Sequence, residues 1–187
     1  MATAKGSTLR ATLAYVESTA GAERARAVLA RLEPALRDRV AHAHATEEVP
    51  IDELLALWRA VDAEIGAEAP QWVEHSGALS IEAYGVQLYG GILRKASPLE
   101  FLTQSVSLFR LYYAPGDMRV VEAEPGRAVL RLVGFDVFDR FFCRRQTGGL
   151  GRAITLAGGS SPSVRHVRCA GEGDAFCEWE LKWGAPQ

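Results

Sequence analysis

The spacing of apolar residues changes near Pro115-Gly116, and this change constrains the fold more than any other feature of the sequence. Before it, apolar residues recur every three or four positions, as in amphipathic helices. After it, residues 118–124 and 127–133 alternate and are rich in β-branched side chains, so they predict a β-hairpin around Pro125-Gly126. Helical and strand segments that are separated along a chain indicate an α+β domain with an antiparallel sheet.

Capping and helix-breaking residues divide the rest of the chain. Ser97-Pro98 is a strong start signal, because serine caps a helix and proline suits its first turn. Residues 164–169 and 176–183 predict a second hairpin around residues 171–174. We therefore expect a helical N-terminal half and an antiparallel sheet built from two C-terminal hairpins. The predicted helices cover residues 8–18, 22–32, 34–40, 51–65, 70–93, 98–113 and 135–156.

Composition excludes several classes of protein. The 187 residues suit one domain, 1–187, in which 1–96 is the helical part and 97–187 carries both hairpins. With 48% hydrophobic and 24% charged residues the chain is typical of a globular protein. A net charge of −2 argues against a nucleic-acid binder, which is usually basic. There is no apolar run long enough for a membrane span and no apolar signal core, so we expect a cytoplasmic protein.

The cysteines all lie in the last quarter of the chain. Cys169 and Cys177 are symmetric about the second turn, so they face each other across the ladder with Cα atoms ~4.5–5.5 Å apart. His166 falls on the opposite face of an ideal strand, so a shared site requires a bulge around Val167-Arg168. Cys143 arrives from the preceding helix. The residues alone leave three alternatives: a closed metal site, a Cys169–Cys177 disulfide, or small side chains that fill the core.

The closing segment, residues 165–181 (RHVRCAGEGDAFCEWEL), resembles the end of four-vinyl-reductase-type domains. The resemblance covers about residues 97–183, and it implies the fold of TRAPP subunits and of the sensor domains of bacterial aromatic-responsive activators. The chain also resembles small myxobacterial proteins that share this module. Those sensors hold zinc through Cys, Glu, Cys and Cys, which implies a structural zinc here with His in place of Glu. The matching positions are Cys143, His166, Cys169 and Cys177.

Two helices of the C-terminal half are rich in aromatic side chains. In the resembling folds, the space between the helices and the sheet holds aromatic or acyl ligands. The resemblance therefore implies a ligand pocket, although aromatics at helical spacing also commonly form a core. The candidate pocket residues are Phe101, Phe109, Tyr112, Tyr113, Phe138 and Phe142.

Residues 136–168 carry six arginines and two aspartates, a local charge of +4. This charge indicates either a basic face for an anionic partner or a solvated surface with local ion pairs. No nucleophile–base pair or phosphate loop points to catalysis.

Two functional hypotheses remain open. The first is a non-enzymatic, zinc-stabilised sensor or carrier of a hydrophobic small molecule. The alternative is a ligand-free homodimeric adaptor for a partner protein, with an exposed helix face as its docking surface. That face would comprise Leu54, Leu57, Trp58 and Val61.

Overall fold

The computed structural model of the chain describes residues 1–86, 90, 97–104, 108–137 and 139–185. The helices are α1 (Gly6–Ala30), α2 (Pro34–His42), α3 (Ile51–Ile65), α4 (Trp72–Leu79), α5 (Pro98–Gln104), α6 (Leu108–Tyr112) and α7 (Arg140–Leu156). A π-helical segment, Ser80–Gly85, continues from α4. The strands are β1 (Thr3–Lys5), β2 (Glu48–Pro50), β3 (Tyr113–Ala114), β4 (Asp117–Glu124), β5 (Arg127–Val133), β6 (Ser160–Arg168) and β7 (Glu178–Gly184).

The larger sheet confirms the predicted antiparallel arrangement of two hairpins. Its strand order is β4-β5-β7-β6, so each hairpin stays intact and the hairpins join through β5 and β7. Apolar side chains of β5 and β7, such as Leu130, Trp179 and Leu181, are buried. Glu178 pairs with Arg131 at 2.7 Å, and Glu180 pairs with Arg127 at 3.1 Å. Along these strands, buried apolar side chains therefore alternate with ion-paired side chains, so the two kinds lie on opposite faces of the sheet.

A second, three-stranded sheet was not predicted. Its order is β2-β1-β3, and it joins residues 3–5 to residues 48–50 and 113–114. Strands of two or three residues are too short to show an alternating pattern, so the sequence carries little signal for them.

The predicted helices are confirmed over most of their described residues, and their limits differ in several places: for example, Tyr113 of the predicted 98–113 helix begins strand β3. The break expected near Gly21 is a kink within α1, where the glycine adopts φ 88°. The last helix begins at Arg140 and not at Phe135, because the Asp139 carboxylate caps it by accepting the Phe141 N–H at 2.8 Å. The cap expected at Ser97 is present, since its hydroxyl accepts the Glu100 N–H at 3.1 Å. Residues 87–89 and 91–93 of the predicted 70–93 helix lie outside the described residues.

Helix α3 forms the centre of the N-terminal core. Leu54, Leu57, Trp58 and Val61 are all fully buried. The Trp58 indole donates to the Thr12 hydroxyl of α1 at 3.1 Å. This stripe is therefore not the exposed docking surface that the adaptor hypothesis needed, because it packs inside the fold. Within the described part of the chain, no helix combines the length and the apolar character that a bilayer crossing requires.

Helices α4 and α7 cross so closely that glycine is required at the contact. A Cβ added to Gly148 would overlap the backbone carbonyl of Glu74, and one added to Gly77 would overlap the Arg145 carbonyl. The Arg144 guanidinium closes the same contact by pairing with the Glu74 carboxylate at 2.6 Å. The glycine-rich stretch of α7, which the sequence presents as a soft spot, is thus continuous helix packed against α4.

We predict that Gly148→Ala destabilises the fold by about 1–2 kcal/mol. Overpacking against backbone costs ~1–3 kcal/mol, and the better helix propensity of alanine returns at most ~1 kcal/mol of it. Gly151→Ala is the matched control, because its added Cβ meets only Val164 Cγ2 at 3.7 Å. Urea unfolding should show a lower free energy of unfolding for G148A and an equal or higher one for G151A. Equal stability of G148A and the unmodified chain would contradict the close crossing.

Candidate functional site

The predicted ligand cluster assembles at the base of the second hairpin. One side-chain atom each from Cys143, His166, Cys169 and Cys177 lies within 4.8 Å of all the others. The register of β6 and β7 shifts between His166 and Arg168, which is the bulge that the sequence required for a shared site. Helix α7 supplies Cys143, whose Sγ lies 3.9 Å from Cys177 Sγ. The four residues are therefore brought together, although their role as ligands stays a prediction.

Hydrogen bonds fix the loop that carries two of these cysteines. The Cys169 N–H donates to the Asp174 carboxylate at 2.7 Å, and the Asp174 N–H donates back to the Cys169 carbonyl at 3.1 Å. The Ala170 N–H points to Cys177 Sγ at 3.4 Å. The His166 ring stacks on Trp179 with centroids 4.5 Å apart. The cluster is thus held by its own local structure.

Short-range interactions shift the pKa values of the two buried thiols in opposite directions. The Cys143 thiol, the His166 ring and the Ala170 N–H together lower the pKa of Cys177 to about 4. The hydrogen bond to Cys177 and burial both raise the pKa of Cys143. All three cysteines are free, so the disulfide alternative between Cys169 and Cys177 is not the state described here.

A second candidate site is a cavity of about 70 Å³ between the helices and the larger sheet. It is enclosed by residues of α4, the π-helical segment, α5, α6, β3, β4, β5 and α7. Most of its walls are apolar, and its polar groups include Ser80, Arg145 and Gln146. A concave, mostly apolar space with few polar groups is the usual form of a small-molecule site.

Most of the predicted pocket residues lie at this cavity, but not all. Phe101, Phe109, Tyr112 and Tyr113 line it. Phe142 does not line it, because its ring stacks on Phe135 with centroids 4.8 Å apart inside an aromatic core. Phe138 lies outside the described residues. Whether any of these side chains contacts a ligand stays a prediction.

Arg145 is the functional candidate that the sequence analysis did not single out. Its side chain is 3% exposed, its Nη1 donates to the Ser76 hydroxyl at 2.7 Å, and its Cζ lies 5.3 Å from the Trp58 ring centroid. Nη2 is buried and has no hydrogen-bond partner among the described residues. Burial lowers the pKa of Arg145 and raises the pKa of the adjoining Tyr113 phenol.

The other arginines of the basic segment are paired with carboxylates, so it does not present a free basic face. Arg145 differs from them because it points inward. The pairs are Arg140–Asp62 (3.5 Å), Arg144–Glu74 (2.6 Å), Arg152–Glu82 (2.5 Å), Arg165–Glu180 (3.8 Å) and Arg168–Glu178 (3.6 Å).

Comparison with known proteins identifies the fold. No protein-family model matches the sequence, and no curated protein is significantly similar to it. Solved H-NOX structures match almost the whole chain. The Fe(II) unliganded H-NOX protein from K. algicida is 13% identical with a TM-score of 0.71, covering 96% of both chains. An S. oneidensis H-NOX protein is 16% identical with a TM-score of 0.75, covering 98% of this chain and 97% of that one.

A third similar structure, which concerns heme distortion in the H-NOX family, is 14% identical with a TM-score of 0.68. It covers 98% of this chain and 96% of its own. At such low identities these matches establish an H-NOX-like fold for this chain and leave its ligand open.

The resemblance to four-vinyl-reductase and TRAPP-like domains was therefore wrong. It depended on one hairpin with a cysteine on each side of a tight turn, a local pattern that antiparallel ribbons of different folds can share. The structural matches instead extend over 96–98% of the chain. The expected structural zinc was wrong with it, because zinc was carried over from that resemblance, whereas the cofactor named among the similar structures is heme.

We predict that Ser76→Ala destabilises the fold by ~1–3 kcal/mol, because it leaves a buried donor of Arg145 unsatisfied. Ser18→Ala is the matched control, since Ser18 is exposed and bonds only its own helix at the Tyr15 carbonyl. Its effect should stay within ~0.5 kcal/mol. Urea unfolding of both variants measures the difference. A S76A chain as stable as S18A would show that the Arg145–Ser76 bond contributes nothing.

Proposed function

We propose that this chain is a non-enzymatic module that senses or carries a small, largely apolar molecule in the cavity between its helices and its larger sheet. The observation that carries the proposal is the cavity itself, with apolar walls and a few convergent polar groups. The H-NOX-like fold supports the proposal, because one of the similar structures concerns heme bound in an H-NOX protein.

The described residues of this chain do not fit heme. Heme iron is held by His, Cys, Met or Tyr side chains. The sequence has no histidine between His75 and His166, and its cysteines belong to the separate cluster. The described lining offers only Tyr112, Tyr113 and Met118 as candidate ligands, and burial raises the pKa of Tyr113, which disfavours the phenolate.

With a free volume of about 70 Å³, the cavity suits a molecule of one ring at most, far smaller than a macrocycle. Side chains of Phe101, Leu102 and Phe109 provide apolar contacts for its body. The ligand-free homodimeric adaptor remains the alternative. Native mass spectrometry of the chain purified from cells separates the two: a bound small molecule supports the proposal, and a clean ligand-free dimer contradicts it.

Toluene is a suitable probe of the cavity, because apolar cavities bind small aromatic hydrocarbons. We expect toluene to bind the intact chain and Leu150→Phe to weaken binding at least tenfold, since Leu150 lines the cavity and the larger ring fills it. Leu156→Phe is the matched control on the same helix, because Leu156 is half-buried and is not part of the described lining. NMR titration measures both affinities. Equal affinities for the two variants would place toluene elsewhere.

We also propose that Cys143, His166, Cys169 and Cys177 bind one metal ion, whose identity the ligand set leaves open. Three sulfurs and one imidazole within 4.8 Å suit a soft or borderline divalent ion. Nε2 of His166 is buried and has no hydrogen-bond partner among the described residues, which leaves it available as a ligand atom. Such an ion would tie the closing hairpin to α7 and stabilise the folded chain.

Cobalt(II) provides a spectroscopic test of this ligand set. We expect one Co(II) per chain with sulfur-to-metal charge-transfer absorption, and a higher free energy of unfolding in its presence. Cys177→Ser should remove both effects. His75→Ala should leave them unchanged, because His75 is exposed on α4, away from the cluster. Absence of charge-transfer absorption in the reduced, unmodified chain would contradict the proposal.

A further inference from the structure

We infer that the ligand of the cavity carries a carboxylate, which pairs with the buried guanidinium of Arg145. This inference rests on the proposed function, and it specifies the chemical class of the molecule that the cavity takes. The observation behind it is a positive charge that lines the cavity without a negative partner among the described residues.

The pairing of neighbouring arginines makes Arg145 an exception. Arg144, one position earlier on α7, contacts both carboxylate oxygens of Glu74, at 2.6 and 2.7 Å. Arg152 pairs with Glu82. Arg145 has no carboxylate within 4.0 Å in the described part of the chain, and its Nη1 donates to the Ser76 hydroxyl.

Burial of an arginine without a carboxylate partner is energetically unfavourable. A charged group taken out of water is stable only when it is paired and hydrogen-bonded. The Trp58 ring near the guanidinium provides a cation–π contact but no hydrogen-bond acceptor. The adjoining Tyr113 phenol stays neutral, because burial raises its pKa, so it supplies no anion. An anionic group that enters the cavity completes the pairing.

The geometry of the free donor selects the kind of anion. Nη1 is engaged by Ser76, whereas Nη2 is buried and has no hydrogen-bond partner among the described residues, so Nη2 keeps its donor capacity for an acceptor that enters the cavity. Carboxylates match guanidinium groups in shape and bind them through charge-assisted hydrogen bonds. Gln146 and Ser80 are further polar groups of the lining.

The remaining walls select the body of the ligand. Phe101, Leu102, Phe109, Leu130 and Leu150 present apolar surface around the same space. Together with the volume of about 70 Å³, they favour a small aromatic or branched monocarboxylic acid over an inorganic anion. A hydrated ion such as chloride would leave these apolar walls without contacts.

Isothermal titration with benzoate, benzamide and chloride tests the inference, because benzoate and benzamide have nearly the same shape and differ in charge. We expect benzoate to bind the unmodified chain at least tenfold more tightly than benzamide. Arg145→Met should abolish this preference and Arg145→Lys should restore part of it. Arg144→Met is the matched control and should keep the full preference, because Arg144 lies on the Glu74 side of α7.

Three results would overturn the inference. They are equal affinities for benzoate and benzamide in the unmodified chain, a preference that survives in R145M, and displacement of benzoate by chloride at equal concentration. The first comparison needs no variant, so it stands even if R145M fails to fold. Toluene separates the two proposals: toluene binding without a benzoate preference overturns the carboxylate alone, whereas no binding of any of these probes overturns the cavity function as well.

Discussion

The close crossing of α4 and α7 is the contact on which both candidate sites depend. Gly77 and Gly148 allow the two backbones to approach at a distance that any side chain would prevent. The approach fixes the rotation of α7 about its own axis. Arg144 is thereby turned toward Glu74, and Arg145 is turned toward Ser76 and the cavity. A helix packed less closely would have more rotational freedom, and a buried arginine would then be free to reach solvent.

The same turn of α7 also reaches the second hairpin. Cys143 meets Cys177 at 3.9 Å, and the Thr147 hydroxyl accepts the Trp179 indole N–H at 3.0 Å. Two sites of different chemistry thus share one helical turn, with the cavity on one side and the sulfur cluster on the other. A change that rotates α7 to suit one site must move the other, because the intervening residues are rigid helix.

The sequence predicted the features that depend on local period and on ladder geometry. The helices and both large hairpins follow from apolar spacing and turn residues, and the bulge near Val167 follows from the parity of a strand. The family resemblance failed because a cysteine hairpin is a local pattern, whereas the fold is set by how distant segments pack. Short strands such as β1 and β3 pair residues that lie far apart in the chain, so no local pattern predicts them.

Arg145 was missed for a different reason, and a signal for it did exist. In a run of arginines it was counted with the surface charge, because charged side chains are mostly exposed. Its position, however, falls on the apolar face of α7: Phe142, Arg145, Gly149 and Ala153 are spaced by three or four residues. Phe142 and Ala153 are fully buried, and Gly149 lines the cavity. The position of an arginine in the apolar repeat of a helix therefore predicts its burial better than its charge does.

An H-NOX-like fold is compatible with a described cavity lining that contains no histidine or cysteine, because a scaffold and the site built on it vary separately. Packing preserves a fold at 13–16% identity because many apolar combinations fill the same core. A ligand site depends on a few polar groups, and changing them alters the ligand without disturbing the packing. In this chain the cavity between the helices and the larger sheet has mostly apolar walls and one buried guanidinium, that of Arg145. Under the proposed function, the charge of that one side chain selects the ligand more than the fold around it does.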